Sequence, residues 1–223
     1  MKIVINGISG KMGAFLYKYL LSIKKYTLIA GISRQDLSIG IPIYKDFKSC
    51  LDNERFDTLI DFSLYPHCLD IVKLAIKNNI NVISGTTGYK SEDAEIIKDL
   101  AKKNNVGVII KPNFSLINKE LAEFMIQLKK NLPYIEIIEE HNIHKRDKPS
   151  GTAKYLAKLL NVDNEHIHSL RIPGIIANHR IIFSDPYQSV IFTHKINNRQ
   201  AFINGIEHSL FEVTNNKTID ILI

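Results

Sequence analysis

Lys2-Ile3-Val4-Ile5-Asn6-Gly7-Ile8-Ser9-Gly10-Lys11-Met12-Gly13 opens the chain with a β-branched run that breaks at glycines. The run reads as a buried strand, and from Lys11 the apolar residues Met12, Phe15, Leu16, Tyr19, Leu20 and Ile23 recur at helical spacing. A strand, a glycine loop and a helix in that order leave backbone N–H groups and the positive end of a helix open to a pyrophosphate. The spacing is GxxGxxG rather than the commoner GxGxxG, so by itself it fits a tight turn or close packing as well as a cofactor site.

The alternation continues outward. Residues 27–32 and 58–63 read as strands, the second carrying Leu59, Ile60 and Phe62 beside the polar Asp61 and Ser63. Residues 66–78 have helical periodicity in Leu69, Val72, Ala75 and Ile76, and residues 81–84 form a further strand. Residues 91–103 read as a helix with Glu92 and Asp93 in its first turn, followed by a strand at 106–110. Strands separated by helices of this length predict a parallel sheet covered on both faces over residues 1–112. After Pro112 come a helix near 117–130, a strand at 134–139, a polar loop to Gly151, a helix to Leu160, and strand-like runs near 179–184 and 189–196. That mixture predicts an α+β second domain, joined through a hinge because no Gly-, Ser- or Pro-rich linker intervenes.

Composition narrows the function classes. The 223 residues are 45% apolar, enough for a packed core, and carry 29 basic against 23 acidic side chains. Lysines are spread rather than clustered, so the charge of +6 reads as compositional bias and no nucleic-acid partner is expected. Cys50 and Cys68 form no CxxC pair and read as reduced thiols of a cytoplasmic protein. The apolar stretch at the N-terminus is shorter than a signal peptide's core, and no run of about 18 apolar residues occurs, so neither export nor a membrane span is expected.

Four further segments carry chemistry. Gly31-Ile32-Ser33-Arg34-Gln35 places no carboxylate directly after the second strand and offers Arg34, which favours NADPH over NADH unless Arg34 is only a solvated surface residue. Gly85-Thr86-Thr87-Gly88 and Pro112-Asn113-Phe114-Ser115 follow strands on the edge where open α/β sheets bind ligands, although either reads equally as a turn. The segment from Glu139 to Ala153 ends in Ser150-Gly151-Thr152-Ala153, where Ser150 or Thr152 can cap a helix whose first amides form an anion seat, with Lys145 adding positive charge. His141 is the natural proton carrier there, since imidazole titrates close to neutral pH. A charged, solvated loop with an ordinary cap fits the same residues. His141, His144, His166, His168 and His179 show no metal-ligand spacing, so no metal is expected.

In their order along nearly the whole chain, the Gly7–Gly13 loop, Asp61-Phe62-Ser63, Gly85-Thr86-Thr87-Gly88, Asn113-Phe114-Ser115 and Glu139-x-His141 through Lys145-x-Asp147-x-Pro149-Ser150-Gly151-Thr152-Ala153 resemble the dihydrodipicolinate reductases of lysine and diaminopimelate synthesis. The resemblance implies a Rossmann-like dinucleotide-binding domain of residues 1–112 plus about 200–223. It also implies an α+β domain of residues 113–199 that binds substrate and builds a homotetramer through its sheet. The implied activity is NAD(P)H-dependent reduction of a cyclic dicarboxylate, 4-hydroxy-tetrahydrodipicolinate, with pyridine-2,6-dicarboxylate as an inhibitory mimic. His141 and Lys145 become the proton-handling residues; Asn142, Lys145, Ser150, Gly151 and Thr152 contact substrate. Gly7, Gly10, Lys11, Met12, Gly13, Phe62, Gly85, Thr86, Thr87, Pro112, Asn113 and Phe114 join Arg34 in the cofactor site.

Two positions depart from that pattern. Asn142 stands where the family usually has a second His, and Ser33 where it has an acidic residue. An amide still donates a hydrogen bond but carries no charge, which keeps open a catalytically impaired dinucleotide-binding paralogue. Another two-domain dehydrogenase of amino-acid metabolism is the remaining alternative; one using a catalytic Cys fits poorly with the positions of Cys50 and Cys68.

Overall fold

The computed structural model describes residues 1–223, apart from the side chains of Asn118 and Lys119. The chain forms two compact units, Met1–Lys111 with Ile206–Ile223, and Pro112–Gly205. In chain order the elements are β1 (Lys2–Asn6), α1 (Lys11–Ser22), β2 (Thr27–Ile32), β3 (Ile43–Tyr44), α2 (Phe47–Asn53), β4 (Thr58–Asp61), α3 (His67–Lys77), β5 (Asn81–Ser84), α4 (Ser91–Asn104) and β6 (Val108–Ile110). They continue with α5 (Ile117–Lys129), β7 (Tyr134–His141), α6 (Gly151–Leu160), β8 (Ile167–Arg171), β9 (Ala177–Ser184), β10 (Ser189–Ile196), α7 (Ile203–Phe211) and β11 (Ile219–Ile221).

The first unit holds a seven-stranded, wholly parallel sheet in the order β11-β6-β5-β4-β1-β2-β3. Its central strands read as near-continuous apolar runs because both faces are covered: Ile3, Val4, Ile5, Leu59, Ile60, Val82 and Ile83 are all fully buried. β4 stops at Asp61 instead of running to Ser63, because Ser63 turns back and both its N–H and its Oγ donate to the Asp61 carboxylate. The sequence reading passes over β3 and α2. Two residues of strand and seven of helix leave too short a period to recognise, although Asp46 caps α2 by accepting from Ser49 N at 2.8 Å.

The second unit is α+β, with a four-stranded sheet ordered β10-β9-β7-β8 in which β7 and β8 are parallel and β9 runs antiparallel to β7 and β10. One face packs against α5 and α6 through Ile135, Ile137, Ile181, Phe183, Met125, Leu156 and Leu160. β7 runs past the expected end at Glu139 to His141, so His141 closes a strand rather than riding in a loop. The cause is its central position: His141 pairs with Arg171 of β8 on one side and Ala177 of β9 on the other. The inward alternation Ile135, Ile137, Glu139, His141 is unbroken, but its last two members are polar.

The glycine loop rests on two tight approaches. Gly7 has φ +81°, and a Cβ on Gly13 would lie 2.2 Å from the Gly7 carbonyl oxygen. Gly13→Ala should therefore lower stability by about 1–3 kcal/mol, read as a lower urea midpoint with an unchanged slope; a midpoint equal to that of the parent chain would contradict this packing.

Candidate active site

A cavity of about 800 Å³ lies at the carboxyl ends of β1, β2 and β4, lined by Gly7, Ser9 and Gly10 of the glycine loop, by Ser33, Arg34 and Gln35, by Lys45 and Lys48, and by Phe62 and His67. No side chain caps α1, whose N-cap is Gly10, so its first-turn amides are not capped from within the helix. The volume is that of a cofactor cleft, and the glycines keep Cβ atoms away from the helix start. Ser33 Oγ lies 3.0 Å from Ser9 Oγ, tying the end of β2 to the loop where an acidic residue was expected. Arg34 is exposed and its carbonyl accepts from Lys45 Nζ at 3.1 Å. Lys45 and Lys48 come from the segment the sequence reading passed over.

Behind this cavity sits Asp61, fully buried. Its Oδ1 accepts from Asn6 Nδ2 at 2.7 Å and Ser63 Oγ at 2.6 Å, and its Oδ2 from Ser84 Oγ and Thr86 Oγ1, both at 2.7 Å. One carboxylate thus joins the ends of β1, β4 and β5. Thr86 spends its hydroxyl inward on Asp61. Gly85 accommodates the Phe62 ring, which a Cβ would meet at 2.1 Å. Lys11, Met12 and Gly13, and residues 85–87, lie outside the cavity lining. In the second unit Asn113 Oδ1 accepts from Ser115 N at 2.8 Å, and Phe114 is buried.

The second unit builds a site on another buried carboxylate. Glu139 is fully buried; burial alone pushes its carboxyl up, but hydrogen bonds from His141 and Arg171 outweigh that and hold it at about 2. His141 Nδ1 faces Glu139 Oε2. Against an ionised carboxylate Nδ1 is the donor, which leaves Nε2 as the nitrogen able to exchange a proton with a substrate.

Ser150 caps α6, its Oγ accepting from Ala153 N at 3.2 Å while its own N–H donates to Glu139 Oε1 at 3.2 Å. Ser150 is 1% exposed, its hydroxyl held at the start of α6. Lys145 Nζ pairs with Asp147 Oδ1 at 2.7 Å, and Gly151 N donates to Asp147 Oδ2 at 3.3 Å. Burial pushes the Asp147 carboxyl up, yet Lys145 and the Gly151 amide bring it below the usual carboxylate range. The Gly151 amide at the start of α6 is thus taken by the chain's own carboxylate. Asn142 Oδ1 accepts from His144 N at 3.2 Å, holding the turn that follows β7.

His179 of β9 packs edge-on against His141 with ring centroids 5.3 Å apart, and its Nε2 lies 3.3 Å from Ser150 Oγ. In the sequence His179 stands out only as a candidate metal ligand. Burial, reinforced by His141 and His194, holds its pKa down at about 3, so it stays neutral in the fold. Between pH 6.5 and 3 the unfolded chain takes a proton at His179 that the folded chain refuses, so stability falls as pH drops through that window. His179→Gln should flatten the fall in urea stability between pH 6.5 and 5 by up to about 1.4 kcal/mol per pH unit; an equally steep fall in the variant would mean another group titrates.

Comparison with known proteins follows these landmarks. The family described as "Dihydrodipicolinate reductase, N-terminus" matches residues 1–114, and "Dihydrodipicolinate reductase, C-terminus" matches residues 114–220. The 4-hydroxy-tetrahydrodipicolinate reductase of Bacillus mycoides is 30% identical, over 96% of this chain and 94% of its own length. The protein of that name from Oceanobacillus iheyensis is 28% identical with the same coverage. The solved structure of a dipicolinate-bound dihydrodipicolinate reductase from Paenisporosarcina sp. TG-14 is 27% identical, with a TM-score of 0.78, covering 99% of this chain and 97% of that one. With both halves matched in order, the chain belongs to the dihydrodipicolinate reductase family.

Proposed function

We propose that the chain reduces 4-hydroxy-tetrahydrodipicolinate to tetrahydrodipicolinate in diaminopimelate and lysine biosynthesis, with His141 and Lys145 handling protons. The observation that carries this assignment of roles is the buried Glu139–His141 pair, which fixes the imidazole at the end of β7 just before the loop bearing Lys145. Gly7 and Gly10 with the start of α1, formed by Lys11, Met12 and Gly13, hold the dinucleotide phosphates, and Arg34 lies at the adenosine end. On the first unit, Phe62, Gly85, Thr86 and Thr87 form the nicotinamide side. When bound, the reduced nicotinamide supplies the hydride. The substrate loses its hydroxyl as water and gains a hydride and a proton. Lys145 gives that proton, His141 exchanges one through Nε2, and the amides of Gly151 and Thr152 hold a substrate carboxylate in place of Asp147. Asn142 adds a neutral hydrogen bond.

The same reading extends to assembly and place. Away from α5 and α6, the second sheet presents Leu170 and Ile191, 44% and 46% exposed, which supports a homotetramer built through this face. Among the described residues no helix is long and apolar enough to cross a membrane. The proposed enzyme is cytoplasmic and takes a small dicarboxylate substrate, with neither nucleic acid nor membrane expected as partner.

Pyridine-2,6-dicarboxylate and NADPH should each raise the melting temperature, and no rise with either would remove the assignment. His141→Gln and Lys145→Met should lower kcat by about 100-fold or more while leaving NADPH affinity within about twofold. Arg34→Ala should weaken NADPH about tenfold and NADH hardly at all; equal affinity for both in the variant and parent would make Arg34 a surface residue. The impaired-paralogue reading rests on Asn142 and prevails if the parent chain binds NADPH without turnover while Asn142→His gains it.

A further inference from the structure

We infer that Arg171 is a positioning residue for the proton-handling pair, one guanidinium fixing both the carboxylate that orients His141 and the loop that carries Lys145. The inference rests on the roles proposed above for His141 and Lys145. Arg171 is the last residue of β8 and pairs in register with His141 across the parallel β7–β8 ladder.

All five of its N–H donors are spent within the protein. Nε donates to the Lys145 carbonyl at 3.3 Å; Nη1 donates to Glu139 Oε2 at 3.0 Å and the Leu170 carbonyl at 2.7 Å; Nη2 donates to Glu139 Oε1 at 2.9 Å and the Asp147 carbonyl at 2.5 Å. A guanidinium has five such hydrogens, so none is left for a ligand. Arg171 therefore acts through other groups. Through Glu139 it sets the plane of the carboxylate that receives His141 Nδ1, and through two carbonyls it pins the loop on either side of Arg146. A lysine offers a point charge with three donors and cannot span the carboxylate and both carbonyls.

The imidazole feels charge from every element around it. Glu139 lies on its own strand, Arg171 on β8, Lys145 and Asp147 on the following loop, His179 edge-on from β9, and His194 beyond His179 in register on β10. Removing either member of the clamp tips this balance in opposite directions. Without Arg171 the Glu139 carboxylate keeps the imidazole and the Ser150 amide, which favours imidazolium. Without the Glu139 charge imidazolium loses its counterion.

Selective ring-nitrogen NMR of the full chain tests the clamp independently of turnover. In the parent chain His141 should carry its proton on Nδ1 whenever the ring is neutral. Its titration midpoint should rise by about one pH unit in Arg171→Met and fall by about one in Glu139→Gln, with the kcat/KM profile following. A purely structural role would lower activity at every pH and leave the midpoints unmoved. Midpoints that stay put or move together overturn the inference, as does a neutral parent ring protonated on Nε2. If either variant fails to fold, the tautomer in the parent chain decides. A parent chain without turnover overturns the proposed function alone, and the NMR shifts still decide the clamp.

Discussion

A carboxylate removed from water must find donors to replace its hydration or forfeit several kcal/mol. Glu139, with no exposed surface, meets that demand through His141, Arg171 and the Ser150 amide. These partners come from β7, β8 and the cap of α6, so satisfying one charge brings three elements to a single point. The ring orientation of His141, the position of the loop around Lys145 and the placement of the start of α6 all follow from that convergence. Asp61 plays the corresponding part in the parallel sheet, where it joins the ends of β1, β4 and β5. The two centres differ in how the carboxylate is compensated. Asp61 gathers neutral hydroxyls and an amide, whereas Glu139 is compensated by a full positive charge.

Legibility in the sequence depended on how far apart the partners lie. The glycine loop, His141, Lys145 and the Ser150 cap sit inside local segments, where periodicity, turn chemistry and motif spacing are informative. Arg171 is 32 residues from Glu139, and only the pairing of β7 with β8 brings them together. His179 is 29 residues from Ser150 and reaches it only through the antiparallel β9 ladder. Lys45 reaches the cavity from β3 and α2, elements too short to show a period. The truncated expectation for β7 has a different cause. Its inward alternation ends in Glu139 and His141, polar residues that resemble a loop until buried partners are known.

Asn142 shows how a departure from pattern can be absorbed locally. Its side-chain oxygen accepts from His144 N and supports the turn after β7, a task suited to an amide. The charge that a histidine would bring at this position is missing, while the Glu139 clamp and the Lys145–Asp147 pair beside it are intact.

β11 carries a consequence for how the chain is made. Its strand pairs with β6 through Ile219, Asp220 and Ile221, and Asp220 bridges to Lys111 at 2.7 Å, more than a hundred positions earlier in the chain. During synthesis the outer border of the parallel sheet stays open while the entire second unit is being translated. Val108, Ile109 and Ile110, all apolar, form an unprotected rim during that interval. Until β11 is in place, that apolar edge is open to pairing with another chain.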